Sequence, residues 1–107
     1  MIFDFPELRP TRADYVVNGA RAGRYFAEQS IALVKEADER GVPTEGAMIV
    51  RAVVAGIVAN ERLLREKFGS SDGDLKAFTD ACRSAYRDRL ALERKRSISA
   101  ELTRHGA

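Results

Sequence analysis

The chain is poor in the side chains on which most catalytic and metal sites are built. Its 107 residues include one histidine, His105, one cysteine, Cys82, and no tryptophan. A single cysteine excludes an intramolecular disulfide and fits a reducing compartment. One Cys with one His cannot make a zinc site within one chain. A di-metal carboxylate bundle needs Glu-x-x-His pairs on facing helices, and the sequence has none. The segment from Gly69 to Gly73 carries Asp72 and no Lys-Ser or Lys-Thr pair, so it lacks the cation of a phosphate cradle. Nucleophilic catalysis through Cys82 would need a neighbouring base, and none is evident. No cofactor and no enzymatic activity are expected.

Other absences bear on location and partners. There is no basic segment followed by an apolar core at the N-terminus, so no secretory leader is expected and the reading is a cytoplasmic protein. The main apolar run, Ala47 to Ala59, is interrupted by Arg51 and falls short of the roughly 20 residues of a membrane span. The net charge of +2 is too small to argue by itself for nucleic acid or membrane. No internal repeat or low-complexity tract is present.

What is present is helical signal. At about 100° per residue, Val50, Val53, Val54, Ile57, Leu64 and Phe68 share one face, with Met48, Arg51, Ala55, Arg62 and Glu66 opposite. The β-branched residues of this run also suit a strand. The Leu-, Arg- and Glu-rich continuation to Phe68 without a turn signal favours a helix instead. Thr44 is the expected N-cap and Gly69 the stop. The apolar arc is wider than the roughly 100° stripe of an ordinary surface helix, and this stretch reads as the organising element of the chain.

Upstream, Thr11 and Asp14 resemble a capping box that opens a first helix from Arg12 to Arg40, closed by Gly41-Val42-Pro43. On it, Gly19, Gly23 and Ala27 recur every four residues. Each interior glycine costs about 1 kcal/mol relative to Ala, which close approach by another helix would offset. That helix could belong to the same bundle or to a second subunit. Ser71 and Asp74 open a third helix from Asp72 to at least Arg94, with Leu75, Phe78, Cys82, Ala85, Tyr86 and Leu90 inward. Pro6 and Pro10 forbid a helix over 1–10. Ile2, Phe3, Phe5 and Leu8 make that segment an extended strap, packed on its own bundle or on a neighbour, and 97–107 reads as a frayed tail.

The expected fold is therefore all-α: one domain over 1–107, an elongated antiparallel three-helix bundle with an extended N-terminal strap. The expected role is a non-catalytic interaction protein, a self-associating adaptor or regulatory subunit that forms a homodimer and binds no membrane. Candidate interface residues are Phe3, Phe5, Gly19, Gly23, Ala27, Val50, Val54 and Glu61. Glu61 lies near the apolar face, where it either meets an Arg or solvent, or fixes the register of an interface. The alternative is a nucleic-acid-binding regulator using Arg83, Arg87, Arg94, Lys95 and Arg96, a cationic ridge suited to phosphates and not to base reading.

Overall fold

The computed structural model describes residues 10–105, with side chains described up to 96. Three helices follow one another: α1 (Arg12–Arg40), α2 (Gly46–Phe68) and α3 (Asp72–His105). No strand occurs among the described residues, so the β-branched run is helical. The turns are short, so consecutive helices run antiparallel and α1 lies parallel to α3. The bundle is elongated, 54 × 27 × 20 Å. The strap, with Phe3 and Phe5, lies outside the described residues.

Local chemistry sets the helix ends. The Thr11 hydroxyl accepts from the Asp14 amide at 3.3 Å, and Asp14 Oδ2 accepts from the Thr11 amide at 2.7 Å, so the box works with the shorter acid. Gly41, at φ 69°, turns the chain while the Val42 amide reaches back to the Ala37 carbonyl at 2.9 Å. Gly69 ends α2 in the same left-handed conformation, φ 62°. Ser71 and Asp74 cap α3 reciprocally. Two boundaries differ from expectation. The N-cap of α2 is Glu45, with no side-chain cap bond, in place of Thr44. The third helix continues to His105, through the segment read as a tail.

The tight pair is α1 with α3, and α2 lies more loosely against them. Gly19 and Gly23 face the α3 backbone so closely that a Cβ at either would overlap the carbonyl oxygen of Phe78 or Cys82. The four-residue glycine spacing is thus consumed within the chain, and Gly19, Gly23 and Ala27 are all buried. They leave no free seam for a second subunit. Around this glycine seam gather Tyr15, Ala22, Ile57, Leu64, Leu75, Phe78 and Cys82. The narrow stripe of α3 supplies the centre of the core, and the wide arc of α2 does not.

Two hydroxyl pairs close the bundle. Ser70 Oγ donates to the Leu64 carbonyl at 3.1 Å, so the buried Tyr15 hydroxyl donates to Ser70. Ser30 Oγ donates to the Phe26 carbonyl at 2.9 Å, so the Tyr86 hydroxyl donates to Ser30 at 3.0 Å. Each pair lets a tyrosine bury its ring while its polar tip stays bonded. Arg12 joins Asp74 at 3.0 Å, tying the start of α1 to that of α3. Desolvation pushes the Asp74 carboxyl up, but bonds from Ser71 and Arg12 outweigh it and hold its pKa below the ordinary value.

Substituting Gly19→Ala or Gly23→Ala should destabilise the fold by about 1–3 kcal/mol, because overpacking against backbone outweighs the helix-propensity gain of about 1 kcal/mol. Gly46→Ala, where nothing lies within 4 Å of the new methyl, should be neutral or stabilising. Urea unfolding followed by circular dichroism measures both.

Candidate interaction surface

The outward side of α2 is the largest departure from an ordinary small bundle. Of its 23 residues only Ile57 and Leu64 are buried. Val53 and Phe68 pack partly against the core. Met48, Val50, Val54 and Val58 remain 61%, 58%, 48% and 48% exposed. Two of the candidate interface residues, Val50 and Val54, therefore lie at the surface, and Val58 extends their row by one turn. The shared face drawn from the sequence splits: its Ile57–Leu64 side meets the core and its Val50–Val54 side meets solvent.

Beside this row the N-terminal half of α2 stands away from α1 and α3, leaving an open groove of about 610 Å³. Ile31 and Val34 of α1, Ile49 and Val50 of α2, and Tyr86 and Leu90 of α3 form its apolar walls. Lys35, Asp38, Glu93 and Arg94 supply charges of both signs at its edge. Glu93 accepts from Arg89 at 3.2 Å. A second, smaller groove of about 520 Å³ runs between α1 and α3, with Val16, Ala20, Ala85 and Leu92 along it.

The remaining candidates fall elsewhere. Glu61 is half-buried and accepts from Thr79 Oγ1 at 2.9 Å, a link from α2 to α3 within the chain. Its bonded partner is thus a hydroxyl, where an arginine or open solvent was expected, while Arg65, Lys76 and Arg83 line the same recess. Arg83, Arg87, Arg94, Lys95 and Arg96 are all exposed on α3. Arg87 Nε donates to the Arg83 carbonyl at 3.4 Å. Cys82 is completely buried beside the glycine seam. Burial raises its pKa from 9.0 to about 11, against a small opposing pull from the Arg83 charge. The side chain of His105 lies outside the described residues. Among the described residues no three His, Cys, Asp or Glu side chains gather as a metal site requires. No described helix is long and apolar enough to cross a membrane.

Leu90 is expected inward and Met48 opposite the apolar face of α2, and neither they nor Val58, Ile31 and Val34 are among the interface candidates read from the sequence. The four-residue spacing of Val50, Val54 and Val58 was the available signal. Comparison with protein-family models, curated proteins and solved structures finds no match to this chain.

Native Cys82 should resist iodoacetamide at pH 8 and react once the chain is unfolded, since the thiolate is the nucleophile. Because the folded-state pKa is the higher one, the thiol's contribution to stability is complete below pH 9 and is lost as pH rises towards about 11. Mass spectrometry of the alkylated chain, with and without urea, measures the protection.

Proposed function

We propose that this chain is a non-catalytic helical interaction protein that self-associates and acts as an adaptor or regulatory subunit by presenting the outward face of α2. The observation that carries the reading is the exposed valine row beside an open apolar groove. Contiguous apolar surface of this kind, rimmed by charge, marks interaction sites on soluble proteins. Sealing of the only thiol in the core supports a role without nucleophilic chemistry. Size-exclusion chromatography with light scattering should return about twice the 11.8 kDa chain mass at micromolar concentration. A mass of one chain at every concentration up to the millimolar range would overturn the proposal.

One observation favours a second reading. Arg83, Arg87 and Arg94 are exposed on α3, and none is bonded to a carboxylate among the described residues. Such a ridge can neutralise phosphates without reading bases. If it binds nucleic acid, the triple change of Arg83, Arg87 and Arg94 to Ala should weaken a low-salt mobility shift. It should also flatten the salt dependence by about 0.7–0.9 log unit for each phosphate no longer neutralised. An unchanged shift removes this reading.

A further inference from the structure

The valine row of α2 and the arginine ridge of α3 border the same valley. The hydrogen bond from Thr79 to Glu61 fixes how far α2 is shifted along α3. Because the two helices run antiparallel, Arg83 then stands level with Ile57 and Val58, Arg87 with Val53 and Val54, and Arg94 with Gly46 and Ala47. The recesses between the helices agree. Val53 and Ile57 share one of about 280 Å³ with Arg83 and Arg87, and Gly46 and Val50 share the larger groove with Arg94. Val54 lies two turns from Glu61 on the same side of α2, so it too looks toward the α3 edge. We propose that this valley receives an acidic amphipathic helix of a partner protein, its apolar stripe along Val50, Val54 and Val58 and its carboxylates on the bordering arginines. This rests on the reading of α2 as an interaction face, not on self-association, and supplies the chemistry of the partner.

Charge decides the occupant. Arg83, Arg87 and Arg94 form one bank of the valley. Arg51, three residues before Val54, and Arg62, four after Val58, border the row on its other side, and both are exposed. None of the five is paired with a carboxylate among the described residues. No acidic residue occurs from Gly46 to Val58. On the facing stretch of α3, Asp88 lines the opposite groove beside Ala20, and Glu93 is held by Arg89. Lys35 and Asp38 offset each other where α1 closes the end of the groove. An apolar strip between two cationic banks is thus left without local counter-charge, and a helix with leucine along one stripe and acids beside it supplies both complements.

Shape separates this occupant from two others that cations attract. From Gly46 to Val58 the valley runs about 18 Å, the length of three to four helical turns. Nucleic acid presents phosphates but no apolar stripe for a valine row. Faces that enter a bilayer carry large protruding side chains such as Trp, Phe or Leu, whereas this row is valine with Ala47 and Ala55 beside it.

Two fluorescein-labelled, hydrocarbon-stapled peptides of about four turns test the assignment, one with a leucine stripe flanked by glutamate, the other with lysine in place of glutamate. Fluorescence anisotropy at low salt compares the full-length wild type, Val54→Ser and the triple variant Arg83→Glu, Arg87→Glu, Arg94→Glu, with circular dichroism to confirm unchanged helix content. Wild type should hold the glutamate peptide at least roughly 30-fold more tightly than the lysine peptide, and the triple variant should invert that preference. Val54→Ser should weaken the glutamate peptide by at least about three-fold. Equal affinity of wild type for both peptides, or an unchanged affinity in Val54→Ser, overturns the proposal and leaves α2 open as an interaction face. Tighter binding of phosphatidylglycerol vesicles or of duplex DNA than of the glutamate peptide also overturns it, in favour of lipid or nucleic acid. If neither peptide binds but the chain dimerises, the acidic helix is overturned and the interaction reading stands. If neither binds and the chain is monomeric throughout, both fall.

Discussion

Backbone contact between α1 at Gly19 and Gly23 and α3 at Phe78 and Cys82 sets where the rest of the chain can sit. Helices that carry side chains at their contact pack 8–10 Å apart. Removing Cβ at two successive turns lets the surfaces close further, and the valley that remains along the pair becomes shallow. A third helix laid on such a valley can insert only a thin strip. That strip is Ile57 and Leu64, two turns apart, with Val53 and Phe68 a turn outside them. The glycine seam therefore does two things at once: it gives α1 and α3 a dense contact, and it denies α2 a deep seat.

The consequences run along α2 unevenly. Its C-terminal half is held by Leu64 in the core, by Glu61 on Thr79, and by the Leu64 carbonyl that anchors Ser70 and, through it, Tyr15. Arg65 adds an ion pair to Asp72 at 2.8 Å across the turn, although both groups are exposed and such pairs contribute little. Among the described residues the N-terminal half shows no counterpart to these ties. Residues 46–48 and 50–52 are exposed, and the helix begins at an N-cap without a side-chain bond. Sparse packing of this kind places the first half of α2 at the low end of local stability. The apolar groove opens at that same half.

Much of the secondary structure could be read from residues a few positions apart. Thr11 with Asp14, Ser71 with Asp74, and the glycines at 41 and 69 are local devices, and the helices begin or end at them as local chemistry demands. Glycine spacing on α1 likewise announced a close helix contact. What it could not announce was which helix fills the contact, since Phe78 and Cys82 are distant in sequence from the glycines they approach. The face of α2 was misassigned in part for a related reason. A wide apolar arc contains several possible stripes of about 100°, and the separation of two other helices decides which stripe is used. Val50 and Val54 look as inward as Ile57 in a projection of α2 alone; only the shallow seat puts them outside. Glu61 paired with a threonine because Thr79 lay opposite, and complementarity of charge gave no hint of an uncharged donor.

Exposed valine in a helix is a locally unfavourable choice, and that makes its recurrence informative. A β-branched side chain gives up rotamer freedom against the preceding turn, at a few tenths of a kcal/mol relative to Ala. Leu or Ala would serve a solvated face better. In the core that cost is offset by packing, but Val50, Val54 and Val58 are about half exposed or more. Departures from local rules without compensation inside the chain are expected where a surface serves something outside it. Anything that covers this row also completes the packing of the weakly held half of α2. Binding and ordering of that helix then draw on the same contacts, and the folded state gains stability in proportion to its occupancy by mass action. The shallow seat left by the glycine seam is thus not a defect of packing in isolation. It is the condition under which a helix of this composition can keep an apolar row available at the surface while its other end remains anchored in the core.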